Sequence, residues 1–139
     1  MSLKPKTAKG FSLAEVMIVL IIIGILASIG IPTYWQNVLQ ARRAEARAAI
    51  EEIRTLQYEY FQNYKTFGNQ NELNNYPATT DGGHYQIAIA VQNAGLSFSA
   101  TATAVNTQLK DTDCRVFSIS SNNQLQAYDS SNNLTNNCW

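Results

Sequence analysis

The chain has 139 residues, enough for one globular domain, and its ten Lys and Arg residues balance ten Asp and Glu residues. Three of the cations, Lys4, Lys6 and Lys9, lie in the first ten residues, so the remainder holds seven cations against ten acids. An acidic chain of this kind makes DNA an unexpected partner, because phosphate binding needs clustered Lys and Arg.

Residues 1–10 form a basic segment that precedes an apolar one. No charged residue lies between Val16 and Ile31, and about 20 mostly apolar residues can span a bilayer. The positive-inside rule keeps the basic segment in the cytoplasm and sends the rest outward. The alternative is an ordinary secretory signal cut near Ala27-Ser28-Ile29, which Pro32 and the helical pattern beyond it disfavour. We predict a transmembrane helix over residues 11–35.

Glu15 is a carboxylate at the start of this apolar segment. A carboxylate in lipid is costly and is therefore a functional candidate. The alternative is that Glu15 lies at the headgroup level and is merely solvated. A cut between Gly10 and Phe11 would create an α-amino group four residues before Glu15. Since helix positions i and i+4 share a face, the amine and the carboxylate could neutralise each other, within one molecule or between neighbours.

The junction Gly10-Phe11-Ser12-Leu13-Ala14-Glu15, followed by the Ile, Leu and Val run, resembles the class III signal of type IV prepilins and pseudopilins. The resemblance implies that residues 1–10 are a leader removed by a prepilin peptidase after Gly10. It also implies that Phe11 becomes the N-methylated first residue and that Glu15 guides docking into a filament. The implied partners are other pilin subunits, the peptidase, an inner-membrane assembly platform and the membrane itself.

Pro32 interrupts what otherwise reads as one long helix, because it cannot donate a hydrogen bond to the carbonyl of Ser28. Gly24 and Gly30 weaken the same stretch. One interpretation is a simple end of the transmembrane helix. The resemblance favours another, in which the segment from Gly24 to Pro32 stretches or melts when subunits leave the bilayer and pack into a fibre.

Residues 36–67 continue the helical pattern in amphipathic form. Arg42 and Arg43 are expected to be solvated, or paired with acids in an assembled filament; a phospholipid or DNA contact is the less favoured interpretation. Apolar residues recur at three- and four-residue spacing and predict a buried stripe. That stripe comprises Ala46, Ala49, Ile50, Ile53, Leu56, Tyr60 and Tyr64.

Residues 68–139 are predicted to form a globular head, opening with a loop over residues 68–83. Four segments alternate or run apolar between turn residues and predict strands. They lie at residues 84–91, 96–105, 115–120 and 125–128. The fold class is therefore α+β, with a long N-terminal helix packed against an antiparallel sheet of about four strands.

Cys114 and Cys138 are the two cysteines. Their spacing fits no CxxC or zinc pattern, and we predict one disulfide, formed after export, that closes the loop 114–138. Two free thiols in a cytosolic protein are the alternative, which the apolar segment disfavours. Residues 111–139 also resemble, in outline, the C-terminal disulfide loop of type IVa pilins. Together with the 42–49 and 58–64 stretches, they resemble a branch rich in minor pilins.

The chain shows no pattern of an enzyme or a cofactor site. His84 stands at a turn and is expected at the surface, and Asp111 with Asp113 would make at most a poor calcium site, so no metal is predicted. The leading hypothesis is a structural subunit of a bacterial type IV pilus, major or minor, that serves adhesion, twitching motility or DNA uptake. It would lie in the inner membrane as a precursor and then in an extracellular pilus. The alternatives are a pseudopilin of a type II secretion system, a DNA-capturing competence pilin and a membrane-anchored enzyme.

Overall fold

The computed structural model describes residues 10–139, so the predicted leader lies outside the described residues except for Gly10. The described chain divides into two compact units, one up to Trp35 and one over Gln36–Trp139. One helix, α1 (Leu13–Tyr64), belongs to both units. The second unit adds four strands: β1 (Tyr85–Gln92), β2 (Ser97–Ala104), β3 (Val116–Ser120) and β4 (Leu125–Tyr128).

The four strands form one antiparallel sheet in the order β1-β2-β3-β4. In this register Ala102 of β2 lies opposite both Ile87 of β1 and Phe117 of β3, and Phe117 lies opposite Ala127 of β4. The predicted α+β fold with four strands is therefore confirmed, and the strand ends differ from the predicted ones by at most one residue.

The core of the second unit lies between one face of the sheet and one side of α1. The alanines and Phe98 of β2 fill this layer together with bulky side chains of the neighbouring strands. Tyr85 and Phe117 meet edge to face with ring centroids 5.8 Å apart. The buried residues of α1 are Ala46, Ala49, Ile50, Ile53 and Gln57. Those of the strands are Tyr85, Ile87, Phe98, Ala100, Ala102, Ala104, Phe117, Ile119 and Ala127.

The side chains on the opposite face of the sheet are uncharged, and in β2 they are short. In β2 the buried alanines alternate with partly exposed Ser97, Ser99, Thr101 and Thr103. In β3 the hydroxyl groups of Ser118 and Ser120 continue the pattern. This alternation is the period of two that a half-buried strand requires, and it makes the outward face a polar surface without ionised groups.

The predicted stripe on α1 is wrong at its C-terminal end. Tyr64 is 65% exposed, whereas Gln57, a polar residue, is completely buried. Gln57 donates from Nε2 to the carbonyl of Gly68 at 2.6 Å and accepts from the Gly68 N–H at Oε1 at 2.9 Å. Both polar groups of Gly68 are thereby satisfied, so a buried amide replaces the expected apolar contact and holds the chain where it leaves the helix.

The turn between β1 and β2 requires glycine at its last position. Asn93, Ala94 and Gly95 all have positive φ angles, the largest at Gly95 (86°). A Cβ on Gly95 would lie 2.8 Å from the Cβ of Thr66, closer than packed atoms allow. The carbonyl of Gly95 also accepts from the Phe67 N–H at 2.8 Å. The hairpin is therefore joined to the segment that follows α1.

Substituting Gln57 tests this anchor. In Gln57→Ala both groups of Gly68 lose their partners in a buried site, and we expect the free energy of unfolding to fall by about 2–4 kcal/mol. Urea unfolding of the full chain in detergent, followed by near-ultraviolet circular dichroism, measures this change. The matched control is Gln62→Ala on the exposed side of the same helix, which should change stability by less than about 0.5 kcal/mol. Equal stabilities for the two variants would contradict the anchor.

Candidate assembly segment and disulfide region

The N-terminal half of α1 exposes apolar side chains on all its faces. Every residue from Phe11 to Leu26 is exposed, and Phe11 and Leu13 are each 82% exposed. Within the described residues, α1 is the one helix that is long and apolar enough to cross a membrane, judged by length and composition. Such a surface needs lipid or other apolar helices around it, because water does not solvate it favourably.

Ser12 caps the start of this helix, a role that the sequence interpretation missed. Its Oγ accepts a hydrogen bond from the Glu15 N–H at 3.2 Å, and its carbonyl accepts from the N–H groups of Glu15 and Val16. The spacing Ser12-x-x-Glu15 is that of a capping box, which could have been read from the sequence. Glu15 also stabilises the start of the helix, because a carboxylate in the first turn interacts favourably with the helix dipole.

The three residues of the predicted processing and docking site lie together at this helix start. Gly10 and Phe11 are exposed and precede the helix, and Glu15 is exposed in its first turn. Within residues 10–139 no donor bonds to the carboxylate of Glu15. The arrangement leaves both the backbone at the predicted cut and the carboxylate accessible to another molecule.

The helix continues through Pro32 to Tyr64, so Pro32 lies inside α1. Two hydroxyl groups make extra bonds to the backbone on either side of it. Ser28 Oγ donates to the Ile25 carbonyl at 2.7 Å, and Thr33 Oγ1 donates to the Ile29 carbonyl at 3.1 Å. A Cβ on Gly24 would meet nothing within 4 Å. Glycine is therefore not required there by packing within this chain.

The C-terminal region is closed by a disulfide between Cys114 and Cys138, as predicted. Both cysteines are buried. The ring of Trp139, next to the second cysteine, packs edge to face on Phe117 with centroids 5.5 Å apart. Bridging two residues 24 positions apart stabilises a small domain by about 3 kcal/mol in the chain-entropy account.

A buried carboxylate, Asp111, joins this region to α1. Arg43 donates to it twice, from Nε to Oδ2 at 2.7 Å and from Nη2 to Oδ1 at 2.8 Å. The Cys114 N–H donates to Oδ1 at 3.2 Å, and Gln108 Nε2 donates to Oδ2 at 3.2 Å. The expectation that Arg43 is solvated or pairs only within a filament is therefore wrong. Asp111 is an internal anchor, and its carboxylate already has partners that a calcium ion would have to displace.

The groups around Asp111 have shifted pKa values. The hydrogen bond to Asp111 raises the pKa of Arg43 above its ordinary value, against an opposing effect of burial. Burial raises the pKa of Tyr85 to about 12, and the charge of Asp111 adds to this effect. Tyr85 Oη accepts from Gln108 Nε2 at 3.0 Å. Arg43 is thus held charged and Tyr85 neutral at physiological pH, as a buried ion pair with a phenol beside it requires.

A second polar cluster joins α1 to the loop before β1. Glu45 Oε2 accepts from Thr80 Oγ1 at 2.9 Å, and Glu45 Oε1 lies 2.8 Å from His84 Nδ1. The Tyr76 hydroxyl donates to Glu52 at 2.9 Å. His84, predicted to be a surface residue, is partly buried and has a carboxylate partner. Across residues 10–139, no group of three or more His, Cys, Asp and Glu side chains is arranged to hold a metal ion.

An apolar N-terminal helix that continues into the backing of a four-stranded antiparallel sheet, closed by a C-terminal disulfide, defines a pilin-like protein. The fold agrees with a type IV pilin from Shewanella oneidensis, with a TM-score of 0.52 over 73% of this chain and 97% of that one. At 16% identity this likeness shows the fold alone.

The sequence comparisons establish the family. Residues 32–118 match the family described as "Type IV minor pilin ComP, DNA uptake sequence receptor", and residues 5–31 match the prokaryotic N-terminal methylation motif. The chain belongs to the type IV pilins. This membership confirms the predicted family and the prediction that the chain is not an enzyme.

Two relatives illustrate the similarity. A fimbrial protein of Neisseria meningitidis serogroup A is 31% identical over 103 residues, which cover 73% of this chain and 61% of that protein. Fimbrial protein EcpC of Eikenella corrodens is 34% identical over 99 residues, which cover 71% of this chain and 64% of that protein. The chain therefore spans somewhat less than two thirds of the length of these relatives.

Neutralising Asp111 tests the anchor between the disulfide region and α1. In Asp111→Asn the partly buried Arg43 loses its counter-charge, and we expect the free energy of unfolding to fall by about 3 kcal/mol. The matched control is Asp113→Asn, because Asp113 is 80% exposed and lies 3.9 Å from the same guanidinium; its effect should stay below about 1 kcal/mol. Urea unfolding of the oxidised full chain measures both values. Similar losses in the two variants would contradict the anchor.

Proposed function

We propose that this chain is a subunit of a type IV pilus that is stored in the inner membrane and polymerises through its N-terminal helix. The observation that carries the proposal is the helix surface from Phe11 to Leu26, exposed and apolar on every face, with one carboxylate in its first turn. A surface of this kind is stable in a bilayer, and equally in a bundle of identical helices. The same segment therefore serves as the anchor before assembly and as the fibre core after it.

Proteolytic processing creates the positively charged group that pairs with the carboxylate of Glu15. A prepilin peptidase cuts between Gly10 and Phe11, where the exposed backbone precedes the helix, and methylation leaves the new amino group of Phe11 protonated. In lipid the carboxylate of Glu15 is unfavourable. A neighbour's amino group in the apolar bundle provides a counter-charge, and the attraction between the two is strong there because the dielectric constant is low. The pair therefore favours a subunit that docks in the correct axial register.

The region from Gly24 to Pro32 adapts the helix to the fibre. Pro32 removes one backbone hydrogen bond, and Gly24 and Gly30 lower helix propensity. This stretch is helical in the structure, and Ser28 and Thr33 each donate a side-chain hydrogen bond to its backbone, a contact that favours local bending. Local stretching in the assembled fibre costs less here than elsewhere in α1. The assembly platform draws the subunit out of the bilayer, and the disulfide-closed head then lies on the outside of the pilus.

Glu15→Gln tests the docking role, because glutamine keeps the shape of the side chain and removes its charge. We expect processing to be normal, with a mature mass that begins at methylated Phe11, and the yield of sheared fibres to fall at least about tenfold, the effect of 1.4 kcal/mol lost at each contact. Electrospray mass spectrometry and shearing measure the two results. The control is Glu51→Gln, an i,i+3 partner of Arg54 on the head part of α1.

Two outcomes would contradict this proposal separately. A mature mass that still contains residues 1–10 would exclude the cut after Gly10. Normal fibre yield from Glu15→Gln would exclude docking through its charge.

DNA capture is the second candidate function, and the family description of residues 32–118 as a DNA uptake sequence receptor favours it. Seven Lys and Arg residues over residues 36–139 stand against nine acids, which is the reason that DNA was an unexpected partner. Three of these cations nevertheless gather around the short 3-10 helix Asn106–Lys110. Arg42 bonds to Thr107, Arg115 bonds to the Leu109 carbonyl, and Lys110 ends the helix.

Fluorescence anisotropy with labelled duplex DNA and the full chain in detergent distinguishes the two candidates. If DNA is the ligand, Lys110→Ala should weaken binding and reduce the slope of log K against log salt by about 1. Lys65→Ala, which removes an equal charge outside this cluster, should leave the slope unchanged. Absence of binding at about 50 mM salt, where phosphate contacts are strongest, would reject DNA capture and leave the structural role.

A further inference from the structure

The cations around Asn106–Lys110 form what we call the basic end of the head. Arg42 Nη1 donates to Thr107 Oγ1 at 3.0 Å, and Arg115 Nη2 donates to the Leu109 carbonyl. Lys110 is exposed and lines a groove with Gln36 and Gln40, beside the ion pair of Arg43 and the buried Asp111. Leu109, 46% exposed, adds an apolar side chain between these charges. With Arg43, four cations here stand against two acids, Asp111 and Asp113.

The other end of the same helix half carries what we call the acidic groove. It lies between the last two turns of α1 and the loop after it, and it is lined by Glu59, Tyr60, Asn63, Tyr64 and Glu72 among others. The rings of Tyr60 and Tyr64 are in contact at a tilt of 32°, with centroids 4.4 Å apart. One oxygen of Glu72 accepts from the Asn69 N–H at 2.7 Å, which fixes this carboxylate at the groove wall.

Among the described residues, none that lines the acidic groove is Lys or Arg. The last turn of α1 contains no basic residue. Lys65, the next residue, does not line the groove and donates instead to the Gln62 carbonyl at 3.0 Å. The carbonyl end of the helix dipole adds partial negative charge to the two carboxylates. The groove therefore offers negative charge and aromatic surface to a cationic group that must come from another molecule.

The basic end and the acidic groove cannot meet within one head. Arg42 and Glu59 are separated by 17 positions along α1, or about 26 Å at the rise of an α-helix. Two different and complementary patches at opposite ends of a subunit form a head-to-tail contact. A contact of this type propagates into an open helical array when its rotation does not close a ring.

We propose that the acidic groove of one subunit receives the basic end of a second copy of this chain in the fibre. This inference rests on the proposed pilus function and deepens it by naming the contact between heads. All subunits enter from one membrane in the same orientation, so the end of each head that joins the N-terminal segment faces the opposite end of a neighbour. Lys110 and Arg42 then approach Glu59 and Glu72, and Leu109 approaches the exposed ring of Tyr64.

This contact covers the cations that DNA capture would use. A copy of the chain within the fibre therefore has no free basic end. DNA capture requires Lys110 to be accessible, whereas the contact between heads buries it. In an assembled pilus, Lys110 can therefore bind either a neighbouring subunit or DNA, and the experiments on fibres and on DNA distinguish the two.

Zero-length cross-linking of intact fibres tests the contact. A carbodiimide joins an amine directly to a carboxylate, and beyond residue 10 the chain has only two lysines, Lys65 and Lys110. We expect tryptic peptides in which Lys110 is linked to Glu59 or Glu72 from fibres, and none from the detergent-solubilised monomer, where these groups are too far apart. Fibres that contain the chain but yield no such link would overturn the proposal.

Charge exchange tests it independently. Lys110→Glu should reduce sheared fibres several-fold, and so should the double variant Glu59→Lys with Glu72→Lys, because each places like charges in contact. Combining all three changes should restore fibre yield. Lys65→Glu, an equal charge change outside the contact, is the control. Full assembly of Lys110→Glu, or no recovery in the triple variant, would overturn the contact, whereas fibres that lack even the unsubstituted chain would instead overturn the proposed pilus function.

Discussion

The carboxylate of Asp111 is the interaction on which the second unit of this chain depends. It is 3% exposed and binds the guanidinium of Arg43 on α1, the amide of Gln108 and the backbone of Cys114. Through it, the helix, the 3-10 helix Asn106–Lys110 and the disulfide are held by a single charged group. A buried ion pair contributes little net stability compared with apolar packing, but it fixes one arrangement, because either partner alone is strongly disfavoured. The disulfide region therefore has one docking position on α1.

One helix in this chain must suit two surroundings. Up to about Trp35 it exposes apolar side chains on all faces, whereas from Ala46 to Gln57 it buries one side under the sheet and exposes charges on the other. Polar side chains of the second half, among them Arg43, Glu45 and Gln57, each hold a different loop. The first half of α1 is therefore suited to apolar surroundings, and the second half is suited to packing against the sheet. The two family matches, over residues 5–31 and 32–118, correspond approximately to these two halves and the head.

Most of the architecture could be predicted from local sequence. The strands alternate with a period of two, Asn-rich turns separate them, and the apolar run marks the first half of α1 by composition alone. Polar contacts between distant positions could not be predicted in this way. Arg43 and Asp111 are 68 residues apart, so nothing near either residue in the sequence indicates the partner. Gln57 occupies a place in an apolar stripe where periodicity predicts a hydrophobic side chain, and only the backbone of Gly68 explains it. The Ser12 cap differs, since its spacing to Glu15 was a readable signal.

The polar outward face of the sheet should tolerate amino-acid substitutions better than the buried face does. Ser99, Thr101 and Ser118 are short, partly exposed polar residues, and no ion pair of the described chain involves them. Substitutions on a surface of this kind usually alter stability by less than about 0.5 kcal/mol. Many substitutions on this face should therefore leave the fold intact. The alanines on the reverse of the same strand, which support the fold, are the ones that selection must keep.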